Sequence, residues 1–397
     1  LIIYYITYIP SFTTGGAITK IQNLINSFHE QGCTITWIIC TPSVDLPTEI
    51  TQNPLVFVIS GSEKKSHEAL ANYFGSKNLD HSVLFYRYPL ASRSLYQFCL
   101  KFGNRLVFEH NTKEPEELAL KLKSYTLRDY GYLVRKRKLS RFFKEIRILV
   151  NEVYWGSKVL KKAKGGIAVT SEIAHFQTSR VAKYPCLVVG NGVLCSLFAP
   201  HVQPVYEGSS LNVLLICSFP NQWHGTDRLI KGLVQYKGKT SIHLHLVGRF
   251  SPASRKLAAA IAGRHTVCFY GFVDQARLSQ IKGLCHVGIG SLGMHRIPLL
   301  QGSVLKVREY LASGMPVAIG YLDEDILRSD LKRFSLQIPA DETPVDFAQI
   351  DEFVTRMAGV NDLSGTIRHV AREVLDFSIK TTQYSLCFNT LLNENFK

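Results

Sequence analysis

The segment Gly302-Ser303-Val304-Leu305-Lys306-Val307-Arg308-Glu309-Tyr310-Leu311-Ala312-Ser313-Gly314-Met315-Pro316-Val317 decides how the rest of the chain reads. Ser303 is the expected N-cap, Gly314 the C-terminal stop and Pro316 the entry to the next strand, so these signals delimit a short helix. In an open α/β sheet the N-terminus of such a helix faces the carboxyl ends of the strands, where ligands bind. Lys306, in the first turn, adds a full positive charge to the helix dipole. Glu309 shares its face at i+3 and can accept hydrogen bonds from vicinal hydroxyls. As a merely exposed pair, the two would contribute only about a few tenths of a kcal/mol.

Outward from this helix, short β-branched and aromatic runs alternate with segments of helical periodicity. The runs are 34–39, 55–59, 83–85, 106–108 and 167–170, then 213–217, 242–247, 267–270, 287–290 and 316–319. They are apolar without strict alternation, which suits parallel strands covered on both faces and makes this an α/β chain. Between 194 and 211 both patterns lapse into Pro200, Pro204 and Gly208-Ser209-Ser210, and a domain boundary is expected there. Two doubly wound, Rossmann-like domains facing across a cleft follow, over 1–200 and 201–375, with 376–397 as a terminal helix. The wider segment 366–396 reads as helical throughout.

Composition agrees. The chain has 397 residues, 46% hydrophobic and 19% charged, which excludes a mostly disordered polymer. A single core stops growing near roughly 250–300 residues, so about two domains are expected. No apolar stretch approaches the ~20 residues of a spanning helix. The apolar run 1–9 lacks the charged start and small-residue cleavage site of a signal peptide and reads as a first strand. The nine cysteines form no C-x-x-C pair, so reduced thiols, a cytoplasmic setting and no structural zinc are expected.

The net charge of +15 is unevenly spread: 121–164 holds fourteen basic residues against Asp129, Glu145 and Glu152. Arg135-Lys136-Arg137-Lys138 adjoins Leu139, Phe142, Phe143, Ile146, Leu149 and Val150, apolar residues at three- and four-residue intervals. One helix can thus carry an apolar stripe flanked by cations, which suits the anionic inner face of a membrane. The same stripe could be buried in its own domain with the charges solvated. Nucleic acid ranks third, since no recognition motif accompanies the charge.

Near the start, Gly15-Gly16 follows the first strand and opens a helix through Ile18, Ile21, Leu24, Ile25 and Phe28. Two glycines there let backbone N–H groups approach an anion, although isolated Gly-Gly turns are commonly plain loops. Further along come Glu109-His110-Asn111, Asn191-Gly192-Val193 through Phe198-Ala199-Pro200, Trp223-His224-Gly225-Thr226-Asp227-Arg228, Leu246-Val247-Gly248, Phe269-Tyr270-Gly271-Phe272-Val273 and the 302–317 segment. In this order and spacing the chain resembles the family-four glycosyltransferases over nearly its whole length. The resemblance implies the GT-B fold and hexosyl or N-acetylhexosaminyl transfer, with retention and without metal or other cofactor. It implies a nucleotide-sugar donor such as a UDP- or GDP-sugar and a glycan or lipid-linked acceptor, in surface polysaccharide assembly. His110, Lys306 and Glu309 are the implied catalytic residues. Gly15, Gly16, His224, Arg249, Phe272, Val273, Gln301, Gly302 and Ser303 are the implied donor-binding set.

Two departures bear on activity. The family commonly has two glutamates separated by seven residues, and here Gln301 stands at the first position. Gln can hydrogen-bond a sugar but cannot stabilise positive charge. Where the family commonly places an Arg and a Lys around the diphosphate, this chain offers Phe219 and His224, the latter expected to protonate beside a diphosphate. A non-catalytic nucleotide-sugar-binding or partner subunit is therefore the alternative. Asp323-Glu324-Asp325 superficially resembles a metal-binding triplet, but adjacent acids on a loop are usually solvated.

Overall fold

The computed structural model describes residues 1–10, 16–43, 46–123, 139–261 and 263–393. It divides into two units, Leu1–Val189 with Thr381–Lys397, and Gly190–Lys380.

In the first unit, β1 (Ile2–Tyr8), β2 (Thr34–Thr41), β3 (Val56–Ser60), β4 (Ser82–Arg87), β5 (Leu106–His110), β6 (Gly165–Ala168) and β7 (Cys186–Val188) form one sheet in the order β3-β2-β1-β4-β5-β6-β7. Every pairing is parallel. All of β5 and all but the last residue of β4 are buried, because helices cover both faces. Ile38, Leu84 and Phe108 meet Phe74 of the Glu63–Gly75 helix and Phe98 of the Arg93–Phe102 helix in one core. Ser92 starts the latter helix by accepting a hydrogen bond from the Leu95 N–H at 3.2 Å. Residues 124–138, which include Arg135-Lys136-Arg137-Lys138, lie outside the described residues; the Leu139–Leu160 helix follows them.

The second unit has β8 (Ser210–Cys217), β9 (Ser241–Gly248), β10 (Thr266–Gly271), β11 (Val287–Ile289), β12 (Val317–Ile319) and β13 (Ser335–Gln337), all parallel, in the order β10-β9-β8-β11-β12-β13. Chain order reverses between β1 and β4 in one sheet and between β8 and β11 in the other. Such switch points open a crevice at the carboxyl ends of the strands. β7 and β13 escape the sequence reading because each is a three-residue edge strand with no fully buried residue.

Other expectations change. The boundary falls at Gly190, not near 201, because the irregular 190–204 stretch bonds into the second unit. There the Asn191 N–H donates to Ser303 Oγ (2.7 Å), the Val193 N–H to the Leu375 carbonyl (2.9 Å) and the His201 N–H to the Ser313 carbonyl (2.6 Å). Over its described residues the 366–396 segment is two helices, Leu363–Leu375 and Phe377–Asn393. They part at Asp376, which is extended (φ −63°, ψ 145°) because it bridges to Val193 and its carboxylate accepts from the Cys195 N–H at 2.9 Å. The second of these helices belongs to the first unit from Thr381 onward.

Candidate functional site

The carboxyl edge of the second sheet is built around its switch point. After β8 the chain makes one 3-10 turn, Gln222–His224, and enters the Thr226–Gln235 helix through Gly225 at φ 63°. Only glycine fits there, since a Cβ would sit 2.7 Å from Leu292 Cβ. The Leu292 N–H donates to the His224 carbonyl (3.2 Å) and the Gly293 N–H to the Trp223 carbonyl (3.0 Å), which fixes His224 beside the end of β11. Arg228, fully buried, donates to the carbonyls of Thr343 (2.8 Å), Pro339 (3.0 Å) and Leu292 and so pins the same loops from beneath. Arg296 reinforces them with two bonds to Asp227, at 2.7 and 2.9 Å.

The helix read from the sequence is Leu305–Ser313, ended by Gly314 in the left-handed region at φ 90°. Its N-cap position is occupied by Val304, not Ser303, whose hydroxyl is taken by the Asn191 N–H. Tyr310 seats the helix on the sheet, accepting from the Ile216 N–H at 3.1 Å and packing its ring where a side chain on Gly288 would stand.

Lys306 is thereby carried to the switch point. Its Nζ lies 3.2 Å from His224 Nδ1 and 3.8 Å from Cys217 Sγ at the end of β8. Among the described residues no carboxylate comes within 4.0 Å of it. Burial lowers its pKa, opposed by Cys217 and Glu309. Burial and then the Lys306 charge push His224 down to about 3. A neutral ring can accept a hydrogen bond from Lys306 through Nδ1. Burial raises the Glu309 carboxyl, with Lys282 and Lys306 pulling the other way.

The other expected donor residues are strung along the same edge. Arg249 follows Gly248 at the end of β9 and lies over the Phe272 ring, 5.6 Å from its centroid, next to Val273 after β10. Gln301 bridges to Leu322, and the Gly302 N–H donates to the Leu322 carbonyl at 2.9 Å. A Cβ at Gly302 would lie 2.8 Å from the Tyr321 ring.

In the first unit, Gly15 lies outside the described residues and Gly16 opens the Gly16–Glu30 helix. His110 is fully buried at the end of β5, its Nδ1 3.1 Å from Glu114 and its Nε2 3.0 Å from the Tyr184 hydroxyl. Both ring nitrogens of His110, one of the implied catalytic residues, are thus engaged in the core. Its neighbour was missed: Glu109 is buried, 2.8 Å from Lys20 and 2.5 Å from the Tyr5 hydroxyl, with Arg87 at 3.5 Å. Burial opposes its ionisation, but Lys20 and Arg87 outweigh that and hold it down to about 2. An acid at the end of an apolar run was the available signal. The Asp323-Glu324-Asp325 triplet is not a solvated loop: Asp323 is buried against Arg308, and Asp325 pairs with Arg308 (3.0 Å) and Lys380 (2.7 Å). Among the described residues no group of three His, Cys, Asp or Glu side chains is arranged to hold a metal ion.

No family model matches the chain, and no curated protein does. Solved structures do. A glycosyltransferase from Rickettsia africae superposes with a TM-score of 0.63 at 14% identity, over 99% of this chain and 100% of that one. Anabaena HepE, crystallised with UDP and glucose, gives 0.61 at 13% identity over 98% and 99%. WaaB, a lipopolysaccharide outer core galactosyltransferase, gives 0.61 at 13% identity over 98% and 100%. The chain has the fold of these proteins, the two-domain GT-B architecture of glycosyltransferases.

Proposed function

We propose that this protein is a glycosyltransferase that moves a hexosyl or N-acetylhexosaminyl group from a nucleoside-diphosphate sugar to a glycan or lipid-linked acceptor, with retention, in surface polysaccharide assembly. The observation that carries the proposal is Lys306: a largely buried ammonium at a sheet switch point with a neutral histidine, not a carboxylate, beside it. A cation with no carboxylate in salt-bridge contact favours an anionic ligand. The Leu305 and Lys306 N–H groups at the start of its helix precede the first intrahelical bonds, which run to the Val304 carbonyl, and add to that preference.

As the bond from the anomeric carbon to the diphosphate oxygen breaks, charge grows on the departing phosphate, and Lys306 and the helix amides are already in place to meet it. His224, neutral, keeps the ammonium oriented without competing for the anion. Glu309, with its carboxyl raised by burial, serves hydroxyl groups of the nucleotide sugar. The acceptor oxygen bonds to the anomeric carbon on the face the diphosphate leaves, and the acceptor's proton passes to the departing phosphate oxygen. No enzyme nucleophile takes part, and the leaving-group charge is met by Lys306 instead of a metal. HepE, which shares the fold, was crystallised with UDP and with UDP-glucose, which supports a uridine diphosphate donor.

The test is a thermal-shift screen of the purified chain with UDP and GDP, followed by hydrolysis and transfer assays across nucleotide sugars. Stabilisation and turnover that both disappear in Lys306→Ala support the proposal; a Lys306→Ala protein with full activity overturns it. Gln301, in place of the family's first glutamate, favours a second reading as a binding subunit, which predicts stabilisation by the nucleotide with no turnover.

A further inference from the structure

The Leu139–Leu160 helix of the first unit segregates its side chains by more than polarity. Phe143, Val150 and Tyr154, spaced seven and four apart, share one face, with Val153 beside them, and each of these four is more than half exposed. Lys144 and Arg147 are exposed among them. Lys158 lies on the Tyr154 ring, its Nζ 3.4 Å from the centroid, so its stem covers an aromatic face. Lys161 and Lys162 are exposed just past the helix end. The helix has two acids, and both point the other way: Glu145 is buried, and Glu152 is fully buried against Arg180 (2.6 Å), the Tyr88 hydroxyl (3.0 Å) and the Ala91 N–H (2.5 Å).

The outward face is therefore apolar and cationic with no acid among its exposed side chains. A helix buried wholly within its own domain would hide Phe143, Val150 and Tyr154. A site for another protein would gain specificity from charges of both signs. Among the described residues no helix is long and apolar enough to cross a membrane, which leaves a position along a surface. We infer that this face docks the protein on a bilayer containing anionic phospholipid, with Phe143, Val150, Val153 and Tyr154 in the headgroup–acyl boundary and the cations on lipid phosphates. Aromatic and aliphatic groups supply burial and the cations supply headgroup attraction, so neither alone gives the full affinity. The helix belongs to the first unit and Lys306 to the second, and the inference does not depend on the proposed reaction.

The experiment is co-sedimentation of the full chain with phosphatidylcholine vesicles, with and without phosphatidylglycerol, at low and high salt. Binding only to the phosphatidylglycerol vesicles, weakened by salt, is expected. It should fall about tenfold or more in Phe143→Ser/Val150→Ser/Tyr154→Ser, and likewise in Lys144→Glu/Arg147→Glu. Both variants alter exposed side chains, so unchanged melting temperatures and an unchanged response to UDP verify that the protein is folded. A failure here is thus separable from a failure of the transferase proposal. Equal binding to neutral vesicles, binding unaffected by either variant, or no vesicle binding overturns the inference. So does a concentration-dependent dimer in sedimentation velocity that the apolar variant abolishes while vesicle binding is absent.

Discussion

Lys306 Nζ stands 3.2 Å from His224 Nδ1, and its charge adds to burial in holding the imidazole's pKa down to about 3. Burial lowers the Lys306 pKa as well, with Cys217 and Glu309 opposing it, so the pair sits at the end of β8 with the imidazole as its neutral member.

Replacing that charge separates folding from binding. Lys306→Met removes a largely buried cation with no ion-pair partner, so the ligand-free protein should melt at the same temperature or higher. Affinity for UDP should drop about a hundredfold, as when one member of a buried charge contact is removed. Calorimetric titration and melting curves on the same preparation check both; unchanged affinity contradicts the site.

Acid should destabilise the protein well above the carboxylate range. Burial holds His67, His201 and His245 down to about 4, and His224 to about 3. An unfolded imidazole titrates near ~6.5, so on acidification the unfolded chain takes up protons first. The stability these residues contribute is whole above about pH 6.5 and declines as pH falls toward about 4. Melting temperatures should drop steadily from about pH 7 to about pH 5, with His67 alone responsible for roughly 1–3 kcal/mol by about pH 4. His67→Gln, which keeps a partner for Ser94 and Tyr86, should flatten part of the slope.

Arg308 anchors a buried charge cluster in the second unit. It is fully buried and holds Asp323, Asp325 (3.0 Å) and the Asn191 carbonyl (3.2 Å). Arg308→Met leaves two carboxylates short of their partner and should cost about 3–5 kcal/mol. Adding Asp323→Leu should recover part of it, measured as a shift in the thermal midpoint.

Gly248→Ala tests the backbone of the site. Gly248 has φ 103°, and a Cβ would run into the Cys217 carbonyl. A loss of about 1–3 kcal/mol is expected, together with weaker UDP binding, because Cys217 would have to move away from Lys306.

Much of the architecture was legible, and the reason is local. The Leu305–Ser313 helix has a glycine stop and a proline-led strand within its own sequence, and the apolar runs disclosed parallel strands because two-faced burial leaves no alternation. What escaped was whatever depends on remote partners. Ser303 looked like a cap until Asn191, 112 positions away, claimed its hydroxyl. His110 seemed placed to meet a ligand until Tyr184 and Glu114 filled its ring nitrogens. Glu109 and Lys20 lie 89 positions apart, and no spacing rule joins them. The Lys306–His224 contact arises because β8 and β11 are neighbours, a fact of strand order that motifs do not contain.

The Phe377–Asn393 helix carries a consequence for biosynthesis. Phe85 meets Tyr384 and Phe388, with ring centroids 5.5 and 5.0 Å away, and Phe28 stacks on Phe388. Those aromatic partners are translated after the whole second unit. The amino-terminal half thus leaves the ribosome with an open seam, which closes only after the whole carboxyl-terminal half has been synthesised.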